Sequence, residues 1–241
     1  MSQSGQVATL VFAVTRPAVG WELYEGTMPE TELHSQAITL LEALLKYWAR
    51  RWGARIVTRL PIRWVEEDAR IGVDPDVAVL LPPPPVEEGA LESVFTWLPG
   101  HEPPLLAIEV VSKSNAHKDY SIAPAKYAAS GTQELWVFDP LLCGPKQVDG
   151  PYRLQIWRRN GSSFERIYAG TGPARSPALD AWVVATDDGR KLRVTSDAAA
   201  TDFWLTEEEA AVAQKNAALA QKDAALARVA ELEAELARRG G

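Results

Sequence analysis

The run LLAIEVV at residues 105–111 is continuously apolar except for a carboxylate, Glu109, near its centre. Prolines precede it and polar residues follow, so it reads as a strand buried on both faces. An ionised carboxylate there must be paired, bound to a metal or kept protonated, because isolated burial costs several kcal/mol. Asp76, in VDPDVAVL, starts the preceding strand-like run, with Asp74 two residues earlier on the same face. If the two strands are neighbours, Asp76 and Glu109 converge at one end of a sheet. Paired carboxylates without cysteine or clustered histidine suit a hard, oxygen-ligated cation such as Mg²⁺ or Mn²⁺. A nearby lysine would complete a site for phosphodiester hydrolysis, the metal lowering the pKa of a water and the ammonium stabilising charge on the phosphate. The alternative for Glu109 is a structural ion pair with an arginine from residues 55–63.

The elements that must position these residues can be read from periodicity. Leu33, Ala37, Leu40, Leu41, Leu44, Leu45 and Trp48 recur at three- and four-residue spacing and predict an amphipathic helix, closed by Gly53. ARIVTRLPIRW, IGVDPDVAVLL and PPLLAIEVVS read as strands. The Pro-bounded stretch 82–103 between the last two reads as a mobile loop. DYSIAPAKYAASG predicts one short helix stopped by Gly131, and QELWVFDP another buried strand. YRLQIWRR and SSFERIYAG form a hairpin across Asn160-Gly161. The order is a mixed α/β (α+β) sheet flanked by helices. From about residue 206, the units AAVAQKN, AALAQKD, AALARVA and ELEAELA give an Ala-rich helix, a marginal coiled coil. The expected division is 1–205 for the core domain and 206–241 for the tail.

Composition narrows the class. With 46% hydrophobic residues among 241, a core of ordinary size is expected. The single Cys143 excludes an internal disulfide framework and a cysteine metal cluster, which fits a reducing compartment. VATLVFAV at 7–14 lacks a basic leader and is too short to span a bilayer, so a soluble cytoplasmic protein without membrane contact is expected. The net charge of −7 argues against a dedicated nucleic-acid binder, yet residues 46–63 hold Lys46, Arg50, Arg51, Arg55, Arg59 and Arg63 with no acid among them. His34 reads as a packing or surface residue, Asp119 as a helix cap and Asp139 as a strand terminus. Trp21, Trp48, Trp136 and Trp157 read as core.

A Pro-Asp on one strand followed by Glu-x-hydrophobic on the next resembles the PD-(D/E)XK nuclease core. The ordered set WELYEG, His34, DPDVAV, EVVS, Asp119, Lys126, Tyr127 and WVFDP resembles, over residues 20–185, the Uma-two family of restriction-endonuclease-like proteins. The resemblance implies a restriction-endonuclease-like core and a Mg²⁺-dependent endonuclease acting on DNA, with Mn²⁺ a possible substitute. Asp76 and Glu109 would ligate the metal, and the carbonyl of Val110 is a candidate further ligand. The usual lysine two residues after the acid is Val111 here, so Lys126 would be a migrated catalytic lysine, with Lys113 its rival. Glu25, or else Glu22, would be the acid from the N-terminal region. Arg50, Arg51, Arg55 and Lys113 are candidate nucleic-acid contacts, and a homodimer through the core or the C-terminal helix is open. The alternative function is an inactive nuclease-fold binding or scaffold protein associating through its C-terminal helix.

Overall fold

The apolar stripe of residues 33–48 folds as predicted. In the computed structural model, which describes residues 9–11, 32–85, 90–113, 116–146, 150–161 and 163–240, it lies in α1 (Glu32–Trp52). Ala37, Ile38, Leu41, Leu44, Leu45 and Ala49 are buried on one face. Gly53 has φ +66°, the left-handed position that ends helices and that a β-carbon makes costly.

Before the helix stands β1 (Thr9–Val11), and after it come β2 (Arg55–Val57), β3 (Ile62–Arg63), β4 (Gly72–Val73) and β5 (Val77–Leu80). Next come β6 (Val94–Phe95), β7 (Leu106–Val110), α2 (Ala116–Ser121), α3 (Ala123–Ala129) and β8 (Glu134–Phe138). The chain continues through β9 (Leu154–Asn160), β10 (Ser163–Gly170), β11 (Ala174–Ser176), β12 (Ala181–Thr186) and β13 (Lys191–Thr195) to α4 (Glu207–Arg239). The main sheet has the order β1-β10-β9-β8-β7-β5-β2, and β4-β3-β6 and β11-β12-β13 form two small sheets. All pairs in the main sheet are antiparallel except β7 with β8.

The two faces of the main sheet carry separate cores. Leu106, Ile108 and Val110 of β7 and Trp136 and Phe138 of β8 pack with α1 and the β11–β13 sheet. Ala107, Val111, Leu135 and Val137 pack on the other face with Tyr120, Tyr127 and Ala128. Strands covered on both faces read as unbroken apolar runs, which is why alternation is missing from LLAIEVV. Trp136 and Trp157 are buried as expected and Trp48 stacks on Trp204, their ring centroids 5.6 Å apart. Trp21 lies outside the described residues.

Three differences from the sequence reading have local causes. The single helix expected over 119–131 is two, because Pro124 has no N–H to give and its ring obstructs the preceding turn. The stretch expected to be a loop contains β6, parallel to β3, with Val94 fully buried. Residues 171–204, to which the sequence reading gave no elements, form the β11–β13 meander.

The chain forms two compact units, Met1–Trp204 and Leu205–Gly241. In the second unit Thr206 and Glu209 form a reciprocal capping box that starts α4, and none of its described side chains is buried. No described helix is long and apolar enough to cross a membrane.

Leu41, fully buried between α1 and the sheet, reports on this packing. Leu41→Ala should cost about 2–5 kcal/mol in urea unfolding. A loss below about 1 kcal/mol would show that α1 is not seated on the sheet.

Candidate active site

In the antiparallel pair β5–β7, Val77 stands opposite Ile108 and Ala78 opposite Ala107. One step beyond the paired residues, Asp76 falls opposite Glu109, so the two carboxylates are cross-strand neighbours on the face that carries α2 and α3. The backbone N–H of Val110 donates to Asp76 Oδ2 at 2.7 Å, continuing the ladder past the strand end through a side chain. His34 Nε2, from the first turns of α1, lies 3.3 Å from the same oxygen. The two side chains are only 9% and 14% exposed, so this contact is poorly screened.

Glu109 is 5% exposed and accepts a hydrogen bond from Tyr127 Oη, at 2.6 Å. Burial pushes its carboxyl up to about 7; the Lys118 ammonium opposes this, Asp76 adds to it, and Tyr127 and His34 oppose it further. Lys118, in α2, is solvent-exposed, yet Glu109 holds its ammonium above the usual lysine range against partial desolvation, with Asp119, Asp76 and Asp74 contributing. Asp119 is buried and raised well above the carboxylate range, first by burial and then by Glu109. Tyr127 is raised by burial and by Glu109, so its hydroxyl remains a donor.

A second buried glutamate in the adjacent strand shows what a structural carboxylate looks like here. Glu134 Oε1 accepts from Trp136 Nε1 at 2.7 Å and from Ser176 Oγ, and its Oε2 accepts the N–H of Ala178 at 3.0 Å. Neutral donors hold both oxygens and tie the main sheet to β11. Glu109 instead lies near the end of an interior strand with a lysine and two other carboxylates among its electrostatic neighbours, so charged rather than neutral groups surround it.

The segment that delivers Lys118 is fixed by its neighbour. Tyr120 Oη lies 3.0 Å from Asp139 Oδ2 and accepts the N–H of Tyr152 at 3.0 Å. Asp139 also accepts the N–H groups of Leu141, Cys143 and Gly144, so it ends β8 as expected and organises the turn beyond it.

The structure therefore brings Asp76 and Glu109 together and adds four residues that the sequence reading placed in lesser roles or passed over: His34, Lys118, Asp119 and Tyr127. His34 is neither packing nor surface but a partner of Asp76, and Asp119 sits within the electrostatic cluster. Lys126 is buried in α3, where its N–H donates to the carbonyl of Ile122. Lys113 is exposed in the turn after β7. Glu25 and Glu22 lie outside the described residues. Arg63 pairs with Asp74 at 3.0 Å rather than with Glu109. Arg50 and Arg51 occupy the last turn of α1, and Arg55 pairs opposite Leu80, at the end of β5 remote from Asp76. Arg50 is about 24 Å from His34 along the helix, at about 1.5 Å per residue. Arg59 is closer to the carboxylates, since its backbone N–H donates to the carbonyl of Pro75 at 2.9 Å. Among the described residues, no group of three or more His, Cys, Asp or Glu is placed to hold a metal by itself.

The sequence model of the Uma2 (Uma-two) family, described as "Putative restriction endonuclease", matches residues 12–166. The chain belongs to this family. The Uma2 span takes in His34, Asp76, Glu109, Lys118 and Tyr127, whereas β11–β13 and α4 lie beyond it. No curated protein matches the chain. A solved structure similar to it is a "putative nuclease belonging to DUF820" from Anabaena variabilis ATCC 29413, at 17% identity and a TM-score of 0.45, over 64% of this chain and 76% of that one.

The folded-state value of Glu109, about 7, lies above its ordinary 4.5. The stability its protonated form contributes is therefore whole below about pH 4.5 and is lost as pH rises through about 7. Glu109→Gln keeps an acceptor for Tyr127 and cannot ionise, so it removes that fall. In urea unfolding the variant should match the wild type near pH 4.5 and exceed it by up to about 3 kcal/mol near pH 8. Parallel pH profiles for the two proteins would show that Glu109 ionises as an ordinary surface carboxylate does.

Proposed function

We propose that this Uma2 protein is a metal-dependent endonuclease that hydrolyses DNA phosphodiester bonds at the Asp76–Glu109 edge. The observation that supports it most is the cross-strand carboxylate pair with the Lys118 ammonium held against it. Asp76 and Glu109 would hold Mg²⁺, or Mn²⁺ in its place, with the carbonyl of Val110 as a further ligand. The donor set suits such an ion. Mg²⁺ keeps several waters and takes one or two carboxylates plus phosphate oxygens, so a full protein cage is not needed. When bound, the ion would supply Lewis acidity and a water of lowered pKa.

The chain's own residues divide the remaining work. His34 and the Val110 N–H orient Asp76, and Tyr127 orients Glu109. Lys118, kept protonated by the carboxylates and reaching solvent, stabilises charge that develops on the phosphate. It takes the role that Val111 leaves open, in preference to Lys126 inside α3 or Lys113 in its turn. DNA would approach the edge where Lys118, Lys113 and Arg59 stand. Arg50, Arg51 and Arg55 lie far enough away to meet only DNA that extends about seven base pairs further, at about 3.4 Å per pair.

A second reading, a nuclease-fold binding protein without turnover, is favoured by Val111 in the usual lysine position and by the distance of the arginines from the carboxylates. Mn²⁺ and Mg²⁺ calorimetry with plasmid nicking in the same buffers separates the two. Asp76→Ala should abolish metal binding and nicking together. Lys118→Met should reduce nicking at least about 100-fold without weakening metal binding, the scale of losing one charge-stabilising donor. Lys126→Met should leave nicking intact if Lys118 carries the role. Metal binding without nicking would favour the binding protein, and no metal binding would reduce the carboxylates to a structural cluster.

A further inference from the structure

α4 exposes an apolar series that its own helix cannot cover. Val212 is 54% exposed, Leu219 48%, Leu226 57%, Val229 50% and Leu236 69%. In heptad terms Val212, Leu219, Leu226 and Glu233 occupy one core position, and Lys215, Lys222, Val229 and Leu236 the other. Of the three polar entries, Lys215, Lys222 and Glu233, the last two decide what can lie against this stripe.

In a parallel, in-register pair each residue meets its own copy. Lys215 then faces Lys215, Lys222 faces Lys222 and Glu233 faces Glu233, and like charges in a seam oppose association. Reversing one helix changes every layer. With Leu226 of one helix on Val229 of the other, Leu219 falls on Leu236 and Lys222 falls on Glu233. Each core layer from Leu219 to Leu236 is then either apolar or a Lys–Glu pair. In this register the flanking positions pair Ala225 with Ala230 and Ala218 with Ala237, small layers at which the helices can approach closely, while Asp223 lies beside Leu232. The opposed helix dipoles also favour the antiparallel sense.

We propose that α4 is an antiparallel homodimerisation helix whose partner is a second copy of this chain, overlapping over residues 219–236 with Lys222 on Glu233 at two symmetric layers. This interface would operate independently of the nuclease reading. Its geometry sets a spacing: the starts of the two α4 helices stand about 60 Å apart, at about 1.5 Å per residue.

Charge reversal tests both the pairing and its sense. Sedimentation equilibrium on the full chain should show a dimer for the wild type. Lys222→Glu and Glu233→Lys, each alone, should lower the association constant at least tenfold, because each creates two like-charged layers in the antiparallel register. The double variant K222E/E233K should regain the wild-type value, since it swaps the charges and restores both pairs. Far-ultraviolet circular dichroism checks that α4 stays helical in each variant. A monomeric wild type at high micromolar concentration would overturn the proposal. A dimer that ignores the single reversals, or a double variant without recovery, would overturn it too, pointing to the parallel sense or to contact through the other unit.

Discussion

Glu109 and Asp76 stand opposite each other on adjacent strands, one of them almost wholly out of water, and two negative charges at that distance repel strongly where solvent cannot screen them. Only three things relieve such a pair: a proton, a cation or a set of donors. The fold supplies some of each. Glu109 is pushed up to about 7, Lys118 is drawn to it, and Tyr127, Val110 and His34 hold one oxygen of each carboxylate. On the proposed reading a cation takes up the remaining negative charge, which would link the packing of the sheet to its chemistry.

The topology explains how one short segment delivers so much of this. β7 and β8 are parallel, so the chain must cross over one face of the sheet between them, and α2 and α3 are that crossover. It covers the face to which Glu109 belongs. Pro124 divides it so that Lys118 sits on a separate short helix near the strand's exit while Tyr127 descends from α3 into the core. α1 covers the opposite face, and only its first turns reach the edge where Asp76 leaves the strand. That is why His34, and no later residue of the helix, meets Asp76. Since α1 runs along the sheet, its basic final turn is carried to the far end.

Much of this was legible in the residues themselves. A carboxylate inside an apolar strand must find a partner, and DPDVAV followed by LLAIEVV was enough to join Asp76 and Glu109. The α1 stripe, the Gly53 stop and the hairpin at Gly161 follow from local rules that tertiary contacts did not override. What could not be read required three dimensions. Arg63 chose Asp74 rather than Glu109 because β3 pairs with β4, a pairing between two-residue strands too short to leave a pattern. Lys118 stood in view beside Asp119, but a single helix drawn from Asp119 through Pro124 left it outside, whereas α2 begins at Ala116. Pro124 was the signal that would have corrected it. Glu134 carries the opposite lesson, since an equally buried glutamate can be wholly structural when neutral donors fill both of its oxygens.

For the proposed DNA substrate, the acidic balance of the chain would give the proposed α4 pairing a physical role. With a net charge of −7, the protein repels a polyanion at long range, and attraction falls to a few cations at the carboxylate edge. On the proposed reading a single such site would bind weakly. Joining two through the proposed α4 pairing would make the second encounter intramolecular, so affinity would rise without any added positive charge. Antiparallel pairing favours this over a parallel stalk because it separates the two attachment points by about 60 Å, close to the length of 18 base pairs at about 3.4 Å each. The proposed Lys222–Glu233 layers would thus set both the direction of the helices and the separation of the two attachment points along one duplex.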